Sequence, residues 1–323
     1  LQYNPSIQTM NKDENIPLVG SSSVMQKVYR LLSKLINTGF NVLIEGKSGT
    51  GKNLVAKVLH DFSGRRNTAF LEINLSTAEP ESLRELLYSV KDQNNFVGNA
   101  KKSLGTIFLD EVSDTSLPVQ KVILEFLKEK ELKQESAQES MATNFRIISS
   151  SKVNLKESIE NGSFREDLYF RLNEFSISLP LLEERLDDIP ELCAHFLNKF
   201  SKEGCKEMRL SQSSIDLIKK KKWHGNVREL KNFIGRLATL STDEFIDKNL
   251  TKIELSHIQK DEIESSNFDG SEISKSLESH VSKYFNSLGE NLPAPGLYQT
   301  ILKEVEIPLI SLTLSLCDGN QIK

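Results

Sequence analysis

Gly46-Lys47-Ser48-Gly49-Thr50-Gly51-Lys52 sets three glycines ahead of a lysine, just after the run "VLIE" and before a segment with helical spacing. Glycines let successive backbone amides curl around phosphate oxygens, the start of the following helix adds partial positive charge, and Lys52 can reach terminal phosphates. The stretch reads as a phosphate-binding loop, with ATP as the expected ligand. Asn53 follows where a Ser or Thr hydroxyl ordinarily joins a magnesium shell, so that contribution is missing. Further along, "TIFLDE" is an apolar strand ending in Asp110 and Glu111. There Asp110 can hold magnesium directly or through water, and Glu111 can polarise an attacking water, as phosphoryl transfer requires. Two acids after a strand are commonly a solvated edge. Beside a phosphate loop they become the second half of a nucleotide pocket.

Positioning these groups takes a sheet. Apolar positions from Val28 through Leu31, Leu32, Leu35 and Ile36 predict a first helix ahead of the loop. Strands are then expected at "NVLIEG", "AFLEINL", "GTIFLDE" and "NFRIISSS", with helices at "KNLVAKVLHDF", "PESLRELLYSV" and "LPVQKVILEFLKEK" between them. Short apolar strands alternating with helices predict an α/β fold, a mostly parallel sheet covered on both faces. After residue 182 the pattern turns to helices alone, with no strand candidate. The expected organisation is a linker over 1–16, an α/β nucleotide-binding domain over 17–182 and a small α-helical domain over 183–242. A polar linker with room for one or two helices, 243–290, precedes a leucine-rich segment, 291–323, that Pro308 should bend.

Composition excludes several classes. The chain has 323 residues, of which 38% are hydrophobic, and a formal net charge of -4. It can bury a real core and carries no global basic field for nucleic acid or an anionic membrane. No apolar run is long enough to span a bilayer, and no signal peptide is evident, so a cytoplasmic location is expected. Cys193, Cys205 and Cys317 are too scattered for a zinc site or a disulfide framework and read as packing or surface thiols. The run Lys219–Lys222 before Trp223 reads as a solvated face. A start without methionine and a stop at "CDGNQIK" suggest a piece of a longer protein.

These motifs, with "GSFREDLYFRLNEFSISLP" and "WHGNVREL", resemble the AAA+ core of bacterial enhancer-binding activators of the NtrC type, which work with sigma-54 RNA polymerase. The resemblance runs from residue 17 to about 240, and the tail from "NLPAPGLYQ" resembles the start of that family's C-terminal region. It implies an AAA+ P-loop NTPase fold with a helical lid, and roles by position. Asn53 stands where the family usually has Glu. Asn74 matches an asparagine that turns the catalytic glutamate, here Glu111, toward or away from water. Arg165 and Arg171 match arginines that reach a neighbouring subunit's nucleotide, and Arg228 matches the arginine by which the lid senses nucleotide. For these arginines the structural alternative is salt bridging to Glu166, Asp167 or Glu229. A split site implies self-assembly, from dimers to a hexamer or heptamer ring.

The chain also departs from the family. Between "RELLY" and "GTIFLDE" the family carries a long insertion with GAFTGA, which touches sigma-54; here the segment is "SVKDQNNFVGNAKKSL". Some NtrC-like proteins lacking that loop act with the housekeeping polymerase instead. At the end of the sensor strand, Ser151 and Lys152 replace a Thr-Asn pair. A lysine cannot accept a hydrogen bond, so it can grip phosphate but orients water poorly. Two readings stay open: an ATPase ring acting on RNA polymerase holoenzyme, with magnesium as second cofactor and a nitrogen-related signal, and an ATP-binding scaffold with little hydrolysis that regulates the housekeeping polymerase. In both, DNA would be read by a helix-turn-helix that these residues do not include.

Overall fold

A computed structural model of the chain describes residues 18–91, 104–135, 145–204, 206–241, 243–266 and Leu302. The chain divides into two compact units, Leu1–Glu254 and Leu255–Lys323; the sheet, the glycine loop and the lid helices all lie in the first. Strands β1 (Val42–Glu45), β2 (Ala69–Asn74), β3 (Leu104–Asp110), β4 (Arg146–Ser151) and β5 (Phe175–Ser178) form one sheet in the order β2-β3-β4-β1-β5. Every pairing is parallel. Helices α1 (Ser23–Leu35), α2 (Lys52–Asp61), α3 (Pro80–Lys91), α4 (Leu117–Glu135), α5 (Leu155–Glu160) and α6 (Glu166–Leu172) connect and cover the strands.

Successive strand residues point to opposite faces, and both faces are buried, which is why the strands read as continuous apolar runs. Val42, Ile44, Phe108, Ile148 and Ile177 pack on α1 and α2. Leu43, Ile73, Ile107, Leu109 and Ile147 pack on the opposite side, with Leu83, Val122, Phe126 and Leu168 from α3, α4 and α6. In α1 the buried stripe is Met25, Val28, Leu32 and Leu35, narrower than the periodicity predicts, and Leu31 is exposed. Ser22 caps this helix and donates its hydroxyl to Asp188 at 2.7 Å.

Beyond β5 come α7 (Ile189–Lys202), α8 (Gln212–Lys220) and α9 (Asn226–Leu240), packed through Leu192, Phe196, Trp223, Phe233 and Leu237. The helices-only expectation needs one correction. Strands β6 (Arg209–Leu210) and β7 (Phe245–Ile246) make a small parallel pair. Two residues are too few to show a period of two, and only the fold reveals them. Helix α10 (Lys248–Ser266) occupies part of the expected polar linker. Cys193 is buried, and burial pushes its thiol up to about 12. Cys205, Cys317, residues 92–103 of the segment between "RELLY" and "GTIFLDE", and all but Leu302 of the leucine-rich tail lie outside the described residues.

The strand ends opposite the loop bury charge. Arg146 opens β4 at 1% exposure; its Nε donates to the Phe40 carbonyl at 2.9 Å, while both terminal nitrogens have no hydrogen-bond partner among the described residues. Lys130 of α4 lies over the Phe145 ring, 5.1 Å from its centroid. Burial, offset in part by Glu174 and reinforced by Arg65, pushes Lys130 down to about 8. Both Glu174 oxygens already accept from Asn41, at 3.0 and 3.1 Å. Between pH 8 and the ordinary lysine value of 10.5 the unfolded chain binds the Lys130 proton and the folded chain does not. Folding stability should therefore rise with pH across that window. Lys130→Met should raise stability at pH 7 by about 1–3 kcal/mol and flatten that rise. Urea unfolding of both chains from pH 7 to pH 10 tests this.

Candidate nucleotide site

The glycine loop leaves the end of β1, where Gly46 N donates to the Ser151 carbonyl of β4 at 3.1 Å. Gly49 and Gly51 adopt φ of +78° and +110°, conformations that side chains rarely accept, and Gly51 starts α2. Lys52, 5% exposed, sends its Nζ back over the loop to the Gly46 carbonyl at 2.9 Å, and that nitrogen is 3.7 Å from Glu111 Oε1.

Asp110 ends β3 and is buried with donors on both oxygens. Ser150 Oγ donates to Oδ1, and Asn53 Nδ2 donates to Oδ2 at 3.2 Å and to Glu72 Oε1 at 2.9 Å. Glu111 turns out of the strand at φ 58° and ψ 49°, held by its amide on Ser150 Oγ at 3.1 Å. Its Oε2 is buried with no hydrogen-bond partner among the described residues. A left-handed glutamate beside a lysine is the kind of backbone strain that persists where the surroundings force it.

Asn74 ends β2 opposite Asp110 in register, and its Oδ1 accepts from the Ser76 amide at 2.9 Å and hydroxyl at 2.6 Å. Lys152 is exposed beyond β4 and pairs with Asp114, whose carboxylate raises the lysine's pKa. Arg165, at the start of α6, forms a two-pronged bond to Asp167 at 3.0 and 2.8 Å. Arg171, in the last turn of α6, pairs with Glu131 of α4. Within one chain, then, both arginines are paired with acids of that chain rather than with the loop.

The lid does reach the loop. Arg228 Nη1 donates to Ser48 Oγ at 3.0 Å and its amide to the Gly49 carbonyl at 3.3 Å. Asn226 Nδ2 donates to the Ser48 carbonyl at 3.0 Å. Arg185, buried in the connector between β5 and α7 (Leu182–Asp188), donates from Nη2 to the Thr50 carbonyl at 3.2 Å, with Nη1 3.0 Å from Met25 Sδ. Burial lowers the pKa of Arg185, with Asp188 and Tyr29 opposing that shift. Lysine-rich α8 contributes nothing to the loop in these contacts; Lys221, just after it, pairs with Glu229 at 3.3 Å and lies over Trp223.

The fold and this site match known proteins along most of the chain. The Sigma-54 interaction domain matches residues 18–178, and the AAA+ ATPase lid domain matches residues 183–267. The DNA-binding transcriptional regulator NtrC of Rhizobium meliloti (strain 1021) is 38% identical over 330 residues, covering 99% of this chain and 68% of that protein. The chain belongs to the AAA+ sigma-54-dependent activator family of the NtrC type. NtrC of Azospirillum brasilense is 39% identical over 319 residues, covering 96% of this chain and 66% of that one. The chain thus spans about two thirds of the length of the NtrC-type relatives it matches. A crystal structure of NtrX from Brucella abortus in complex with ATP superposes with TM-score 0.60 at 30% identity, covering 72% of this chain and 54% of that one.

Within this NtrC-type frame, sequence reasoning missed Ser150, Glu72, Arg185 and Asn226. Ser150 carried a usable signal. The β3–β4 pairing sets Leu109 against Ser149, so Ser150 must sit beside Asp110. Arg185 lies far along the chain from the loop with no local pattern to mark it, and Asn226 lies within "WHGNVREL", which was read for Arg228 alone.

Proposed function

We propose that the chain binds ATP with magnesium at Gly46–Lys52 and hydrolyses it slowly in a ring of copies, as an NtrC-type regulator of transcription in a nitrogen-related response. The observation that carries this reading is the convergence of Lys52, Asp110 and Glu111 at the loop while Arg228 arrives from the lid. The acidic oxygens of Asp110 and Glu111 suit magnesium, a hard cation that takes oxygen ligands. Asp110 would hold it, and magnesium supplies charge neutralisation for the phosphates when bound. Lys52 grips the terminal phosphates, Glu111 polarises the water with Asn74 as its switch, and Arg228 joins occupancy to the lid. Arg165 and Arg171 leave their own Asp167 and Glu131 to reach the neighbouring copy's nucleotide. RNA polymerase holoenzyme is the output partner, and DNA is contacted through a helix-turn-helix elsewhere in the protein.

One observation favours the second reading, an ATP-binding scaffold with little turnover. Lys152 holds Asp114 at the position where the resemblance implies a water-orienting asparagine. Lys152→Asn should raise turnover at least about tenfold with nucleotide affinity unchanged, measured as phosphate release. The deciding experiment follows ATP hydrolysis across protein concentration with binding in parallel. Turnover per chain that rises with concentration supports the ring ATPase; tight binding without turnover supports the scaffold.

A further inference from the structure

Asn226 begins α9 at φ +51°, a left-handed backbone, with 3% of its surface exposed. Few non-glycine residues hold that conformation without a side-chain reason. Here the amide group supplies one. Nδ2 donates to the Ser48 carbonyl of the loop at 3.0 Å and lies 3.4 Å from the His224 carbonyl, while Oδ1 accepts from Leu182 N at 3.0 Å in the connector that leaves the sheet. One side chain therefore joins the phosphate loop, the connector and the first turn of the lid helix.

The contact around it is backbone to backbone. A β-carbon on Gly49 would lie 2.0 Å from the Gly225 carbonyl oxygen and 3.1 Å from Arg228 Cβ. The peptide unit between Ser48 and Gly49 is planar and trans, so its carbonyl and its N–H point in opposite directions. Holding the Ser48 carbonyl from the lid side fixes the orientation of the Gly49 N–H, one of the loop amides of the kind that bind an anion.

We propose that Asn226 is a positioning residue that presets the Ser48–Gly49 peptide for phosphate and passes nucleotide occupancy to the connector and α9. The proposal rests on the reading of the loop as a nucleotide site. Phosphate that pulls the Gly49 amide inward must move the Ser48 carbonyl and so load or release the Asn226 bond. The bond to Leu182 then carries the change out of the loop.

The test uses the full chain with Asn226→Asp, which keeps the acceptor for Leu182 and loses the donor, and Asn226→Gly, which relaxes the backbone and removes both. ADP affinity is measured by calorimetry, amide exchange of α9 with and without ADP, and thermal melting without nucleotide. The expected result is ADP binding weakened about tenfold or more in both variants. Exchange protection of α9 by ADP should appear in the original chain and disappear in both. If Asn226→Asp does not fold, Asn226→Gly still reads the loss of the amide. Original affinity and original α9 protection in Asn226→Gly overturn the proposal, including when Asn226→Asp alone is impaired, because repulsion by the new carboxylate would then suffice. Protection of α9 that survives weakened binding also overturns it, because a local packing role would explain the affinity alone. An original chain that binds no ADP overturns the nucleotide reading and this one together, and is distinguished by that first titration.

Discussion

Lys52→Ala abolishes nucleotide binding, with ADP and ATP affinity falling by at least about a hundredfold. Lys52 is 5% exposed, and its stem is fixed in the first turn of α2. The ammonium sits over the loop at the Gly46 carbonyl and faces Glu111 from 3.7 Å. Replacing it removes the cation that faces the Glu111 carboxylate, whose Oε2 is buried. Phosphate oxygens would then meet an unbalanced carboxylate at the loop. A charge lost from a desolvated pair costs more than a surface pair, so the effect is large. Calorimetry with ADP measures it, and Lys52→Met, which keeps the stem, separates loss of charge from loss of packing. Unaltered affinity in either variant removes the phosphate-loop assignment.

Glu111→Gln should keep nucleotide binding and lower turnover by about 100-fold or more, the scale of a lost general base. Arg165→Ala or Arg171→Ala should lower it by about 1000-fold, the scale of an arginine supplied from a neighbour. Mixing a Glu111→Gln chain with an arginine variant should restore part of the activity. Glutamate and arginine would come from different copies to one pocket, so a mixed ring contains some intact sites. The pairs Arg165–Asp167 and Arg171–Glu131 are solvent-facing, with side-chain exposures between 29% and 44%. Such pairs are individually weak and can be exchanged for a contact across subunits. Absence of any recovery in the mixture, with ring formation verified by sedimentation, counts against a shared site.

The sheet was readable because its strands are buried on both faces and separated by helices with a clear period; Phe108 and Ile148 need no tertiary knowledge to be placed inside. The loop and the acids of β3 were readable for another reason. Their chemistry is local, so a few consecutive residues carry both the geometry and the charge. Asn226 defeats such reading because its meaning lies in Ser48 and Leu182, which approach it only after the lid folds back. Lys152 shows the opposite difficulty. Its place just past the end of the strand was legible, but its pairing with Asp114 depends on where β4 ends relative to the turn after β3. The edge pair β6–β7 was illegible because four residues carry no pattern.

The buried cations Lys130 and Arg146 also have a thermal consequence. The hydration of charged groups becomes less favourable as temperature rises, so withdrawing them from water costs less in a warm solution than in a cold one. The penalty they impose on folding therefore shrinks on heating. Lys130→Met should gain more stability in denaturant at low temperature than its melting temperature alone would suggest, because this end of the sheet is least costly to keep charged when the chain is warm.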